Sequence, residues 1–101
     1  MPRYVIERTF DIDEDGMPEI GRRSRQIAEE QFPEIVWEHS HVVVDDDGTL
    51  KSFCIYAAPD DGMIRRHADL LGSHTIDHVY EIGGTVTPAD FPPAEQGSIP
   101  G

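Results

Sequence analysis

The sequence predicts an α+β domain whose strands and helices follow one another in the order β-α-β-β-α-β. Four stretches are rich in β-branched and aromatic residues, as strands are. Two further stretches carry apolar residues at helical spacing, and proline, glycine and acidic residues separate the segments. With 101 residues, the chain is long enough for one domain with a modest core.

The first half of the chain predicts a strand followed by a helix. Residues 3–10 mix β-branched, aromatic and charged side chains, which indicates a strand. After an acidic loop, Pro18 fits the first turn of a helix, because that turn needs no N–H from it. Apolar and small residues then recur at helical spacing from Met17 to Ala28, and Pro33 ends the helix.

The second half predicts a hairpin, a second helix and a last strand. Residues 34–44 and 49–58 read as strands joined by an acidic turn. Residues 59–61, a proline and two aspartates, suit the positive end of a helix dipole, and Gly72 suits its end. Residues 76–86 supply the last strand.

This order is the split βαβ arrangement of the ferredoxin-like fold. It predicts a four-stranded antiparallel sheet with two helices on one face, while the other face stays open for a second copy of the chain. The predicted domain spans residues 1–86. Residues 87–101 form a Pro- and Gly-rich C-terminal tail, which we expect to be an extended arm or a disordered end.

Composition and charge make some partners and cellular compartments less favourable than others. The formal net charge of −12 disfavours nucleic acids and anionic membrane surfaces, whereas cations would concentrate near such a surface. No apolar run is long enough for a membrane helix, and no secretory leader is visible at the N-terminus. The single cysteine, Cys54, excludes an intrachain disulfide and fits a reducing compartment. We therefore expect a cytoplasmic protein.

The predicted hairpin brings together potential metal ligands. If Val44 faces Thr49 across the turn, His39 falls opposite Cys54, and His41 falls opposite Ser52, two residues along on the same face. Opposite Cβ atoms lie ~5 Å apart, so an imidazole and a thiolate there reach a common ion. Such ligands suit Ni(II), and also Zn(II) or Cu.

The same residues also fit an ordinary sheet surface. A His-x-His pattern arises on any solvated strand face, and Cys54 in a central strand is often a small buried hydrophobic residue. A register slip of one residue would separate His39 from Cys54. Trp37 and Tyr56 would form an aromatic cross-strand pair in either case.

Three further histidines are less suited to chelation. His67 lies on the apolar stripe of the second helix, where a core residue with one hydrogen bond is expected, although it is retained as a candidate ligand or orienting residue. His74 and His78 would share one face of the last strand but lie ~13 Å apart.

Two mid-strand carboxylates, Glu7 and Glu38, could act together as acid and base if they met in a buried site. The alternative is that Arg3 or Arg8 neutralises them. No catalytic role is assigned to any residue.

Four segments of the chain together carry a family pattern: residues 1–10, 36–42, 52–59 and 64–68. They resemble a small bacterial family of nickel-binding, ferredoxin-like, dimeric domains, which is largely of unassigned function. The resemblance extends over residues 1–86. It implies a compact homodimer that carries divalent nickel as a sink or store.

The family pattern has counterparts of His39, Cys54 and His67 in this chain. His41 departs from it, because an aromatic residue such as tyrosine is common there. The predicted metal ligands are accordingly His39, Cys54, His41 and His67, of which the first two are primary.

Two alternative functions stay open. The first is an enzyme of the dimeric ferredoxin-like barrel type, a monooxygenase or isomerase, whose pocket lies between sheet and helices. Trp37, Tyr56, His39 and His67 would line that pocket. The second is a non-catalytic module that binds another protein through its open sheet or acidic surface.

Overall fold

The computed structural model describes residues 1–93, and in them the element order is the predicted one. The strands are β1 (Arg3–Phe10), β2 (Val36–Val44), β3 (Leu50–Ala57) and β4 (His74–Glu81); the helices are α1 (Met17–Gln31) and α2 (Asp61–Leu71). Short 3₁₀ turns occur at Glu14–Gly16 and Pro88–Asp90. The last strand thus begins two residues before its predicted range of 76–86 and ends five residues before the end of that range. The predicted C-terminal tail lies mostly outside the described residues.

The strands of the described part form one antiparallel sheet in the order β2-β3-β1-β4. The central pair β1–β3 runs in regular register from Arg3 opposite Ala57 to Phe10 opposite Leu50. The two edge strands are less regular, since a register shift interrupts β2 after Trp37 and β4 opposite the Glu7–Arg8 step. The ferredoxin-like prediction is confirmed.

Both helices cover the same face of the sheet, which we call the inner face. Ile64 of α2 packs with Tyr4 and Ile6 of β1, and Ile20 of α1 packs with Leu50 of β3. Alternation along the central strands sets these contacts, because every second side chain of β1 and β3 points inward. The opposite surface, the outer face, has no helix over it in residues 1–93.

The ends of α2 follow the expected helix signals. The Asp60 side chain caps the helix by accepting a hydrogen bond from the Met63 N–H at 2.9 Å. At the other end, Gly72 has φ 71° and ψ −172°, a backbone conformation that is essentially restricted to glycine. The chain thereby turns from α2 into β4. Within residues 1–93, no helix has the length and apolar character needed to cross a membrane.

Candidate functional site

An extra residue in β2 decides which face each hairpin histidine occupies. Trp37 lies opposite Tyr56, as expected, and their ring centres are 6.3 Å apart. Glu38 then interrupts the register, so that His39 lies opposite Ile55 rather than Cys54. The predicted His39–Cys54 pairing is therefore wrong.

Downstream of Glu38, the hairpin alternates regularly again. Ser40 lies opposite Cys54 and faces inward, whereas His41 lies opposite Phe53 and faces outward. The predicted pairing of His41 with Ser52 is also wrong, as Val42 occupies that position. Val44 lies opposite Leu50.

Cys54 belongs to the core rather than to a site shared with His39. Its side chain is buried with Tyr4, Ile6 and Ile64, and its Sγ lies 3.5 Å from Ser52 Oγ. The sheet separates it from the outer-face histidines. This environment matches the alternative reading of Cys54 as a small buried residue.

His67 is also part of the core. Its side chain is fully buried, and its Nε2 donates a hydrogen bond to the Ser24 carbonyl oxygen of α1 at 2.9 Å. The Tyr56 and Phe32 rings each lie 6.1 Å away. Burial lowers the His67 pKa, because it disfavours the charged imidazolium. The expectation that His67 is a core residue is confirmed, although it is fully rather than partly buried, and it lies on the opposite face from His39 and His41.

The outer face brings His39 and His41 together. Both side chains are exposed, and their ring centres lie 5.3 Å apart in an edge-to-face arrangement. A metal ion lies about 2 Å from a coordinating imidazole nitrogen, and hence about 3 Å from the ring centre. Ring centres at the observed spacing therefore suit one shared ion. In residues 1–93, no group of three or more histidine, cysteine or acidic side chains is arranged to hold a metal.

Glu38 is held by a charge pair beside these histidines. Arg3 donates to its two carboxylate oxygens from Nε and Nη2, each at 2.8 Å. Because this bidentate bond favours the ionised form, it lowers the Glu38 pKa. The expectation that Arg3 neutralises a mid-strand carboxylate is confirmed for Glu38.

A second charged group occupies the other half of the outer face. Lys51 Nζ lies 2.7 Å from one Glu7 carboxylate oxygen, and His78 Nδ1 lies 3.0 Å from the other. The Lys51 hydrogen bond, followed by that of His78, lowers the Glu7 pKa. Glu7 is thus neutralised by Lys51 rather than by Arg8, with His78 as a further hydrogen-bond partner, and Glu38 lies with Arg3 instead of meeting Glu7.

The remaining histidines occupy opposite faces of β4. His74 faces inward, where its Nδ1 donates to the Gly72 carbonyl oxygen at 2.7 Å, and His78 faces outward. The prediction that they share a face is wrong, because the register of β4 shifts between them near Asp77.

Apolar side chains fill the space between the two polar groups of the outer face. Phe53 and Ile55 lie on β3, Val5 on β1, and Tyr80 at the β4 edge with 54% of its surface exposed. Val43 extends this apolar area along β2. The outer face is therefore an apolar strip with a histidine pair at one side and a Glu7-centred charge group at the other.

A cavity of about 480 Å³ lies between α1 and the inner face of the sheet. Trp37 and Tyr56 line it, as the enzyme hypothesis expected, but His39 faces away from it. Its charged lining residues are Arg8, which is buried, and Glu14, which is exposed. The sequence analysis treated Arg8 as a partner for surface carboxylates. Strict alternation with the inward-facing Tyr4, Ile6 and Phe10 could have shown that Arg8 points inward.

The family model described as nickel responsive protein SCO4226-like matches residues 4–82. The chain belongs to the SCO4226-like nickel responsive protein family. No curated protein and no solved structure shows a significant match to it.

The SCO4226-like match runs from β1 to the residue after β4. It therefore includes both the outer-face histidines and the cavity beneath α1. The family description states responsiveness to nickel, and the resemblance to a nickel-related family is confirmed.

Proposed function

We propose that this protein binds divalent nickel on the outer face of its sheet and serves as a nickel sink or store. The observation that carries the proposal is the exposed His39–His41 pair, whose ring centres are 5.3 Å apart. Neutral imidazole is a good ligand for Ni(II), and the chain belongs to a nickel responsive family. Zinc and copper use the same ligand type, so they are the competing metals.

Two imidazoles leave most of a nickel coordination shell unfilled, and we propose that a second copy of the chain supplies further ligands. The apolar strip of Val5, Phe53, Ile55 and Tyr80 offers a surface for packing two outer faces together. In a two-fold dimer each contact occurs twice, so the partner contributes the same set of side chains. A homodimer would therefore supply nickel ligands that one chain lacks.

The surrounding charge supports cation binding. The chain carries 20 acidic residues against eight basic ones, which raises the local concentration of divalent cations. Near the pair, the Glu38 carboxylate is already held by Arg3, so the proposed ligands are the imidazoles rather than this carboxylate.

Calorimetric titration of the untagged protein with Ni(II) tests the proposal. We expect saturable binding at a fixed ratio of nickel to chain, weakened at least tenfold in both H39A and H41A. The matched control is H78A, which removes an exposed outer-face histidine held by Glu7 at 3.0 Å. Absence of nickel uptake by the wild type would refute the function, and loss in H78A with retention in H39A would refute the site.

A further inference from the structure

Arg8 is a cation enclosed in the interior of the protein. Its side chain is 2% exposed, on the inner face of β1 directly opposite Ser52. Arginine is almost never buried so completely unless a carboxylate or another acceptor pairs with it. The Tyr56 ring lies 5.2 Å from the guanidinium carbon, which is a cation–π contact. That contact stabilises the charge without accepting a hydrogen bond from Nε or Nη2.

Two donor atoms of this guanidinium have no acceptor among residues 1–93. Nε and Nη2 of Arg8 are buried and form no hydrogen bond with any residue that the structure describes. The same two atoms of Arg3 hold the Glu38 carboxylate, each at 2.8 Å. Arg8 therefore has available the pair of N–H groups that binds a carboxylate in a bidentate manner elsewhere in this chain.

The cavity beside Arg8 has the size and lining of a small-molecule site. Its volume of about 480 Å³ lies within the usual range for ligand pockets. Its walls are mostly apolar, with the hydroxyls of Ser24, Ser40 and Ser52 among them. The apolar lining comes from Phe10, Met17, Ile20, Trp37, Val42 and Leu71.

A glycine within α1 leaves part of this space open. Gly21 lines the cavity, and a Cβ atom added to it would meet no atom within 4 Å. Glycine is the poorest helix former after proline, so its place at the fifth position of α1 has no advantage for the helix itself. The missing side chain enlarges the cavity.

We propose that this cavity binds a small organic acid, whose carboxylate pairs with Arg8 and whose apolar body lies between α1 and the β2–β3 hairpin. The ligand would supply the acceptor that the Arg8 guanidinium lacks. Edge strand β2 leaves an opening for entry, because Trp37 and Val42 line the cavity and are exposed to solvent. This site is independent of the proposed nickel function, since it lies on the opposite face of the sheet from His39 and His41.

Fluorescence of Trp37 provides a direct measurement of ligand binding in the cavity, because Trp37 is the single tryptophan of the chain and lines the cavity. The full-length protein is titrated with phenylacetate and with hexanoate. Their uncharged amides, phenylacetamide and hexanamide, are the controls for shape. Inorganic phosphate is the control for charge without an apolar body. We expect at least one carboxylate to bind at least tenfold more tightly than its amide and than phosphate.

Four variants locate the binding. R8M replaces the guanidinium with a long, unbranched, uncharged side chain, and should weaken carboxylate binding at least tenfold. G21L should fill the cavity and weaken it similarly, whereas G21A, with a single added methyl group, should retain it. E14Q removes the other charge of the cavity lining and should tighten binding severalfold. Circular dichroism establishes that each variant is folded.

The outcomes divide as follows. Carboxylate binding that is lost in folded R8M and G21L but kept in G21A supports the proposal. Three results would overturn it: neither carboxylate binds better than its amide, phosphate binds as tightly as either carboxylate, or folded R8M binds like the wild type.

Discussion

Ser40 lies directly opposite Cys54 on the inner face of the sheet, and this pairing places His39 and His41 on the outer face. The thiol and the hairpin imidazoles are thus separated by the thickness of the sheet. The hairpin histidines are exposed to solvent, whereas the Cys54 thiol is packed in the core beneath the helices.

The placement of Cys54 predicts that its sulfur contributes nothing to nickel binding. In C54A, nickel affinity measured by calorimetry should stay within about twofold of the wild type. Removing the buried sulfur should lower the free energy of unfolding by on the order of 1 kcal/mol. A tenfold loss of nickel affinity in folded C54A would contradict the outer-face assignment.

The apolar strip predicts that self-association depends on the outer face. F53E places a charge in the middle of this strip, where dimer formation would bury it without a partner. We expect the dissociation constant of the dimer, measured by analytical ultracentrifugation, to rise at least tenfold. L70E is the matched control, since Leu70 is an exposed leucine on α2, and it should leave the constant within about twofold. Equal effects of the two substitutions would contradict an outer-face dimer.

Burial of His67 predicts a loss of stability in mild acid. Its pKa is lowered by burial, so the unfolded chain binds a proton at a pH where the folded chain does not. This histidine therefore contributes no penalty above its unfolded pKa of about 6.5, and stability decreases as the pH falls from there toward the folded pKa. The unfolded pKa lies between roughly pH 7 and pH 5. Over that interval, the free energy of unfolding from urea denaturation should fall less in H67Q than in the wild type. An unchanged pH dependence would contradict this account.

The turn after α2 predicts a backbone cost for any side chain at position 72. A Cβ at Gly72 meets no atom within 4 Å, so the cost of G72A comes from its φ of 71° and ψ of −172° and not from a clash. We expect a destabilisation of about 1–3 kcal/mol. In G84A, the added Cβ also meets open space, and φ lies outside the left-handed range, so stability should change little. Thermal denaturation compares the two, and similar melting temperatures would refute the strain.

Local sequence signals were sufficient for the order of elements. The boundaries of β1, the acidic start of α2 and its end at Gly72 each depend on residues close in the chain, and all follow the prediction. The fold class then follows from the order alone, because few topologies connect six such elements without crossings.

Strand register at the sheet edges could not be predicted in the same way. A bulge depends on how the backbone pairs with a distant strand, and neither Glu38 nor the region of Asp77 carries a glycine or proline that would indicate one. Each shift changes the face of the residues that follow it. The histidine pair was therefore recognised as a candidate, whereas its separation from Cys54 was not.

The burial of Arg8 beside a cavity was not predicted, for another reason. Its inward direction follows from alternation along β1, but the lack of a carboxylate partner for it in the described part of the chain depends on where α1 and the hairpin leave space. No pattern along the chain measures an internal volume.

Both irregular pairings occur at the margins of the sheet, where a strand has a neighbour on one side only, while the β1–β3 centre is continuous. Gain or loss of a single residue in an edge strand moves the side chains that follow it to the opposite face of the sheet. It disturbs the hydrogen bonds to only one neighbouring strand. This scaffold can therefore exchange chemical groups between its two surfaces through single-codon insertions or deletions in β2, whose side chains lie outside both core clusters.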